Sequence, residues 1–320
     1  MMTDSNHFVL TEAYEPWAVE RLKSVGRVVT LKNVDEPSVI AAARDANALL
    51  VRTYTRVTRA VIEAGRNLRV IGRAGVGVEN IDLVAASERG IPVVYTPGAA
   101  TEAVADLTVG LMIGLVRDFA GTDRMVRSGQ FREARDSNLG SEMSELKVGI
   151  VGMGRVGKAV ARRCALGFNM PVVYNDIVNV APMEFPVRSV SKEELFRESD
   201  LISLHVPLTD STRNLIDREV LLRMKPTTRI VNTSRGAVVD PLALADALCA
   251  DRLGGAALDV FHPEPLPRDH PLMNAPRTLF TPHIGARTRL GQKRMNEVVE
   301  DVLRVLRGET PCFAAVPNRS

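Results

Sequence analysis

The chain has 320 residues, 45% of them hydrophobic and 25% charged, which is about twice the length of a typical domain and predicts two globular domains, each with its own core. Its 41 basic and 38 acidic side chains leave a formal charge of +3, too small and too dispersed to point to a nucleic-acid or membrane partner, and no apolar run is long enough to span a bilayer. Three widely spaced cysteines, Cys164, Cys249 and Cys312, predict neither a disulfide framework nor a zinc site, and the start "MMTDSNHFVL" lacks a leader's basic and then apolar pattern, so a reducing cytoplasmic setting is expected.

From the start to about residue 97, short β-prone runs ("FVL", "RVVTL", "ALLV", "LRVIG", "IPVVYT") alternate with helical patterns at 16–24, 36–44, 58–65 and 82–89. Parallel strands need helical crossovers, so this alternation predicts a parallel sheet flanked by helices. "YTPGAAT" then breaks the pattern and starts one long apolar helix, "TEAVADLTVGLMIGLVRDFAGTDRMV", with Thr101 as its N-cap. A polar, poorly periodic segment follows, "RSGQFREARDSNLGSEMSE", expected to be irregular. The α/β alternation resumes at "KVGIVG" and runs through "VVYND", "LISLHV", "TRIVNTS", "GGAALDVF" and "RTLFTPH". One last helix is predicted at 288–307, burying Met295, Val298, Val299, Val302 and Leu306 at helical spacing and returning to the first domain. The expected organisation is α/β, with two doubly wound parallel-sheet domains. One comprises residues 1–98 plus 290–320 and the other residues 99–289.

"KVGIVGMGRVGKAVARRC" joins an apolar strand to Gly152-x-Gly154-x-x-Gly157 and an Ala- and Val-rich helix. Gly152 permits the tight turn, Gly154 lets the backbone approach a pyrophosphate, and Gly157 lets the helix pack on the strand, while the helix N-terminus supplies N–H donors. A second strand, "VVYND", ends in Asp176, where this fingerprint wants an acid on the adenosine ribose. A carboxylate there repels a 2′-phosphate, so NAD is favoured over NADP.

Three further segments each place polar residues at the carboxyl end of a predicted strand: "NTSRGAVVD" with Arg235, "ALDVFHPEP" with Asp259 and Glu264, and "TPHIGA" with His283. Ligands of open α/β sheets bind at that edge. Reduction of a keto acid there needs a cation for the carboxylate, suited to Arg235, and a proton donor titrating near neutrality, suited to His283. Glu264 on the far ring nitrogen would favour the imidazolium. A metal site is not expected, since no histidine pair has i, i+4 spacing. His205, before "VPL", is left open between a nicotinamide-pocket residue and a structural one; His7, His262 and His270 are given no role.

With these motifs, and with "VRTYTRV", "GRAGVGVENIDLVAASERGIPVVYTP" and "HVPLTDSTRNLI", nearly the whole chain resembles the D-isomer-specific 2-hydroxyacid dehydrogenase family, closest to the catalytic portion of its phosphoglycerate-type members. The resemblance implies a flavodoxin-like substrate domain built from both chain ends and a Rossmann NAD-binding domain. It implies Arg235, Glu264 and His283 as the catalytic trio, and Gly152, Gly154, Arg155, Val156, Gly157, Asp176, Val206, Thr233, Asp259 and Ala286 along NAD. Arg52 matches the arginine that helps hold substrate in phosphoglycerate-type members, and Arg73 with the Val76 and Gly77 N–H groups would meet the substrate carboxylate. It also implies a homodimer joined through the nucleotide domain.

Substrate identity divides the readings. Arg132 or Arg135 could reach a terminal phosphate, which with Arg52 favours a 3-phosphoglycerate-type substrate. Against it, Ala100 in "GAAT" stands where phosphoglycerate enzymes carry asparagine, and "TEAVADL" is closer to glyoxylate and hydroxypyruvate reductases. The formate dehydrogenase branch is disfavoured because it uses glutamine where Glu264 stands. A chain ending at "AAVPNRS" leaves no appended regulatory domain to expect. A reading of another class, a dinucleotide-dependent corepressor-like binding protein, shares fold, fingerprint and trio, but the termini show no long interaction tails.

Overall fold

The computed structural model describes residues 6–137 and 139–317. The terminal stretches MMTDS and NRS, on which the expectations about a leader and an appended domain partly rest, lie outside the described residues, as does Asn138 of the polar segment. The chain divides into two compact units, Met1–Ala100 with Arg287–Ser320, and Thr101–Ala286.

The first unit holds strands β1 (Asn6–Leu10), β2 (Gly26–Thr30), β3 (Ala48–Val51), β4 (Val70–Arg73) and β5 (Val93–Tyr95). The second holds β6 (Val148–Val151), β7 (Val172–Asn175), β8 (Arg188–Ser189), β9 (Leu201–Leu204), β10 (Arg229–Asn232), β11 (Gly255–Leu258) and β12 (Thr278–Phe280); β13 (Ala314–Ala315) returns to the first. In the first sheet the order is β13-β5-β4-β3-β1-β2. Without β13 that is the 2-1-3-4-5 order of flavodoxin-like folds. All its pairs are parallel except β13 with β5. Every residue of β3 is buried, as expected of a central parallel strand covered on both faces.

The second sheet runs β12-β11-β10-β9-β6-β7-β8, parallel throughout. Its six strands from β11 to β8 follow the doubly wound dinucleotide-binding order, with β12 added at one edge. Order reverses between β6 and β9, and that switch point opens a crevice at their carboxyl ends. Two apolar clusters fill the faces, one around Leu195, Ile202, Leu204 and Ile230, the other around Met112, Ile150, Val160 and Leu201.

Several elements depart from expectation. The long helix from Thr101 is two helices, Thr101–Val116 and Phe119–Arg127. Asp118 breaks it: the residue is left-handed at φ 47, and its carboxylate caps the second helix by accepting from the Gly121 N–H at 3.1 Å. Part of the polar segment is ordered as the helix Phe131–Ser137. The last helix is likewise two, Arg289–Asn296 and Val298–Leu306. At Glu297 the ladder tightens to i→i+3 bonds, Glu297 N–H to Arg294 O and Glu300 N–H to Glu297 O. Met295, Val298, Val299, Val302 and Leu306 are all buried, and Val298 and Val302 lie over Gly72 of β4. The two-residue strands β8 and β13 had no sequence pattern to announce them. Asp301, nearly buried, draws β13 in by accepting from the Cys312 and Phe313 N–H groups at 2.9 and 3.0 Å. Among the described residues no helix is long and apolar enough to cross a membrane.

Candidate active site

The second unit carries the fingerprint at the carboxyl end of β6. Gly152 turns the chain at φ 91, and a Cβ there would sit 2.7 Å from the His205 carbonyl oxygen and 2.9 Å from Val206 Cγ1. This is a left-handed position in a crowded place, so glycine is required twice over. A Cβ on Gly157 would lie 2.0 Å from the Gly152 oxygen; that is the close approach of helix to turn. Around a Cβ on Gly154, by contrast, there is nothing within 4 Å. No protein packing demands that glycine, and the open space before the N-terminus of the helix Arg155–Arg162 suits an approaching phosphate. Arg155 is exposed and Val156 half-buried at the same helix start. Asp176, past β7, closes the cradle: one carboxylate oxygen accepts from the Met153 N–H at 2.6 Å, the other from Val178 N–H at 3.1 Å. Clearance, donors and acid therefore fit a dinucleotide.

Along the same edge the loops after β10, β11 and β12 converge. Asn232, buried, spans the first: its Oδ1 accepts from the Ser234 N–H at 3.0 Å and Ser234 Oγ at 2.8 Å, while its Nδ2 donates to the Arg235 carbonyl at 2.9 Å. Thr233 Oγ1 lies 2.8 Å from Thr108 Oγ1 on the helix Thr101–Val116, which anchors this loop from below. Arg235 donates to the Ser234 carbonyl at 2.8 Å.

In the third loop His283 takes a left-handed φ of 53, a conformation histidine tolerates better than most side chains but still at a cost. The buried carboxylate of Asp259 holds it there. One of its oxygens accepts from Thr281 Oγ1 at 2.6 Å and the Ile284 N–H at 2.9 Å, the other from the Gly285 N–H at 2.8 Å, and its own carbonyl takes the His283 N–H at 2.8 Å. The side chain named as a cofactor contact thus spends its carboxylate on the histidine loop. Ala286, half-buried, follows that loop.

His283 Nδ1 and Glu264 Oε1 are 2.6 Å apart. Burial alone would raise the Glu264 pKa, but the hydrogen bond and charge of His283, the Phe261 N–H and the Arg235 guanidinium outweigh it, and the net shift is downward. Glu264 is therefore a carboxylate at neutral pH. With Nδ1 turned to it, Nε2 is the nitrogen left to meet a ligand. His205 shares a 2.8 Å hydrogen bond with Ser203 Oγ, and burial pushes its pKa down to about 3, so it is neutral. Among the described residues no cluster of three His, Cys, Asp or Glu side chains is arranged to hold a metal.

In the first unit, taken by itself, the remaining candidates also sit at strand ends. Arg52 leaves β3 with one guanidinium nitrogen on the Ala13 carbonyl at 2.9 Å and another on Gln292 Oε1. Arg73 ends β4 and donates to the Ala74 carbonyl at 2.7 Å, folding back over Gly75, where a Cβ would meet the guanidinium. Val76 is exposed, Gly77 half-buried and Ala100 buried. Arg132 and Arg135 are exposed on the helix Phe131–Ser137 of the second unit. Sequence reasoning had no part for Asn232, although an asparagine two residues before a serine at a strand end is a signal for such a turn.

The family model described as "D-isomer specific 2-hydroxyacid dehydrogenase, NAD binding domain" matches residues 109–285. A D-3-phosphoglycerate dehydrogenase of Methanocaldococcus jannaschii is 39% identical over 307 residues, covering 94% of this chain and 57% of that protein. A hydroxypyruvate reductase of Thermotoga maritima is 39% identical over 282 residues, covering 87% of this chain and 90% of that one. The crystal structure of a Thermus thermophilus protein superposes with a TM-score of 0.89 at 38% identity, over 97% of this chain and 100% of the other. The fold and the fingerprint define a dinucleotide-binding α/β protein. The chain belongs to the D-isomer specific 2-hydroxyacid dehydrogenase family, with NAD as the cofactor of its second unit. It spans little more than half the length of the Methanocaldococcus relative and nearly all of the Thermotoga one.

Proposed function

We propose that this chain interconverts a small D-2-hydroxy acid and its 2-keto acid, with a 3-phosphoglycerate-type substrate. The observation that carries the reading is the 2.6 Å contact of His283 with Glu264, with Arg235 among the charges that hold Glu264 ionised. Bound NAD(H) supplies or accepts the hydride at the substrate's second carbon. Arg235 orients the substrate carboxylate through its fixed donor fork. His283 Nε2 holds the proton exchanged with the oxygen on that carbon, and Glu264, on Nδ1, fixes the ring so that Nε2 faces the substrate. Thr233, Val206, Asp176 and the glycine turn line the coenzyme. From the first unit, Arg52, Arg73 and the Val76 and Gly77 N–H groups hold the substrate's anionic groups.

Buried Ala100 supports a second reading, since it offers a substrate no polar contact: a glyoxylate or hydroxypyruvate reductase. The test is NADH oxidation on 3-phosphohydroxypyruvate beside hydroxypyruvate at equal ionic strength. A kcat/KM preference of about tenfold or more for the phosphorylated acid supports the first reading, and equal or reversed preference the second. Turnover by the purified chain without any partner rules against a corepressor-like role. In either reading His283→Ala lowers kcat by about 10²–10⁴-fold while NADH affinity stays near wild type; preserved turnover would remove His283 from the mechanism. The setting we infer is cytoplasmic and the assembly a homodimer. Support for the latter comes from the helices Phe119–Arg127 and Phe131–Ser137, which leave Phe119 55% and Phe131 61% exposed.

A further inference from the structure

The turn that leaves β1 is a template for the turn that leaves β3. Glu12 Oε1 accepts from the backbone N–H groups of Arg52, Tyr54 and Thr55 at 3.2, 3.1 and 3.3 Å, and Oε2 from the Thr53 N–H at 3.3 Å. Four consecutive N–H groups thus close around one half-buried carboxylate, with Thr55 Oγ1 adding a fifth contact at 3.2 Å. The next two residues of the same turn grip the same target. The Ala13 carbonyl takes the Arg52 guanidinium at 2.9 Å, and the buried Tyr14 hydroxyl donates to the Val51 carbonyl at 3.0 Å. On the other side Asn80 Nδ2 donates to the carbonyls of Arg52 and Thr55 at 3.0 and 2.6 Å.

A run of backbone N–H groups facing one point is an anion nest. Here a side chain of the same chain fills it, so an outside anion finds no N–H groups free in it and meets the Arg52 guanidinium instead. The loop is also fixed before any ligand arrives, and a prearranged donor loses less freedom on binding. We propose that Glu12 is the positioning residue for Arg52, setting the loop that aims this guanidinium at the anionic substrate. The proposal rests on the reading of Arg52 as a substrate group.

Two opposed effects follow from altering Glu12, and two variants separate them. Glu12→Gln removes both the charge and half of the acceptor capacity; Glu12→Asp keeps the charge but withdraws the carboxylate by one methylene. If loop geometry governs, both raise KM for the 2-keto acid, by about five- to tenfold, with kcat within about twofold and the NADH dissociation constant unchanged. Arg52→Ala raises KM as well, and adding Glu12→Gln to it has no further effect, because the two act through one contact. A merely structural Glu12 would lower kcat and weaken NADH binding along with the rise in KM, or add in full to Arg52→Ala. A KM that falls in Glu12→Gln and is unmoved in Glu12→Asp would make Glu12 a charge brake and overturn the proposal, as would wild-type KM in both. Wild-type KM in Arg52→Ala would instead overturn the role of Arg52 itself. Should Glu12→Gln not fold, judged by its denaturation midpoint, Glu12→Asp alone and in combination with Arg52→Ala gives the same reading.

Discussion

The three glycines of the fingerprint are required for three different reasons, and the differences are measurable. A methyl on Gly154 meets no protein atom within 4 Å, whereas one on Gly157 meets the Gly152 oxygen at 2.0 Å. Gly154→Ala is therefore expected to keep its denaturation midpoint while NADH affinity drops by about tenfold, since only the ligand needs that space. Gly157→Ala is expected to lose about 1–3 kcal/mol of stability as helix and turn are forced apart. Equal losses of stability in the two variants would refute the distinction. Asp176→Ala should narrow the preference for NADH over NADPH and also weaken NADH itself, because the Met153 N–H loses its acceptor; coenzyme titration followed by fluorescence reads both, and an unchanged ratio would reduce Asp176 to a turn residue. The glycine turn and the positions of Arg235, Glu264 and His283 past their strands were legible because each follows shortly after an apolar run. What could not be read was where a carboxylate points. Asp176 at the cradle, Asp259 under the histidine loop and Glu12 in its nest are all acids just past a strand, and only the fold tells them apart.

Elements show the same division between pattern and detail. Alternation of apolar runs gave the strand count of each sheet nearly in full, because buried parallel strands have little freedom in composition. The breaks at Asp118 and Glu297 were hidden inside unbroken helical periodicity, since a cap or one tightened turn alters hydrogen bonds without altering which face is apolar. The contact of Val298–Leu306 with β4 rests on close fit: a Cβ on Gly72 would lie 2.5 Å from Val302 Cγ2. Gly72→Ala and Val302→Ala should each destabilise by about 1–3 kcal/mol, the first by overpacking and the second by leaving a void. Combined, the methyl moves across the seam and the double variant should be more stable than the sum of the two losses predicts, as urea denaturation would show. Strict additivity would mean that the seam relaxes freely.

At the scale of the molecule, the apolar surface of the helices after Asp118 is the feature a lone chain does not explain. On the proposal of a homodimer, Phe131→Asp is expected to give a monomer in sedimentation equilibrium where the wild type is a dimer, and a wild-type monomer would dismiss that proposal. The other large-scale feature is the order of the chain. Residues 101–286 interrupt the first unit, whose β4 is covered by a helix beginning only at Val298. A ribosome making about 5–20 residues per second needs on the order of ten to forty seconds between completing β5 and delivering that helix. Throughout that interval the second unit can fold to completion, while the first, though begun earlier, waits with Gly72 and its neighbours bare. The part of the protein translated first is the last to mature, and its unfinished face is where a nascent-chain chaperone would find its hold.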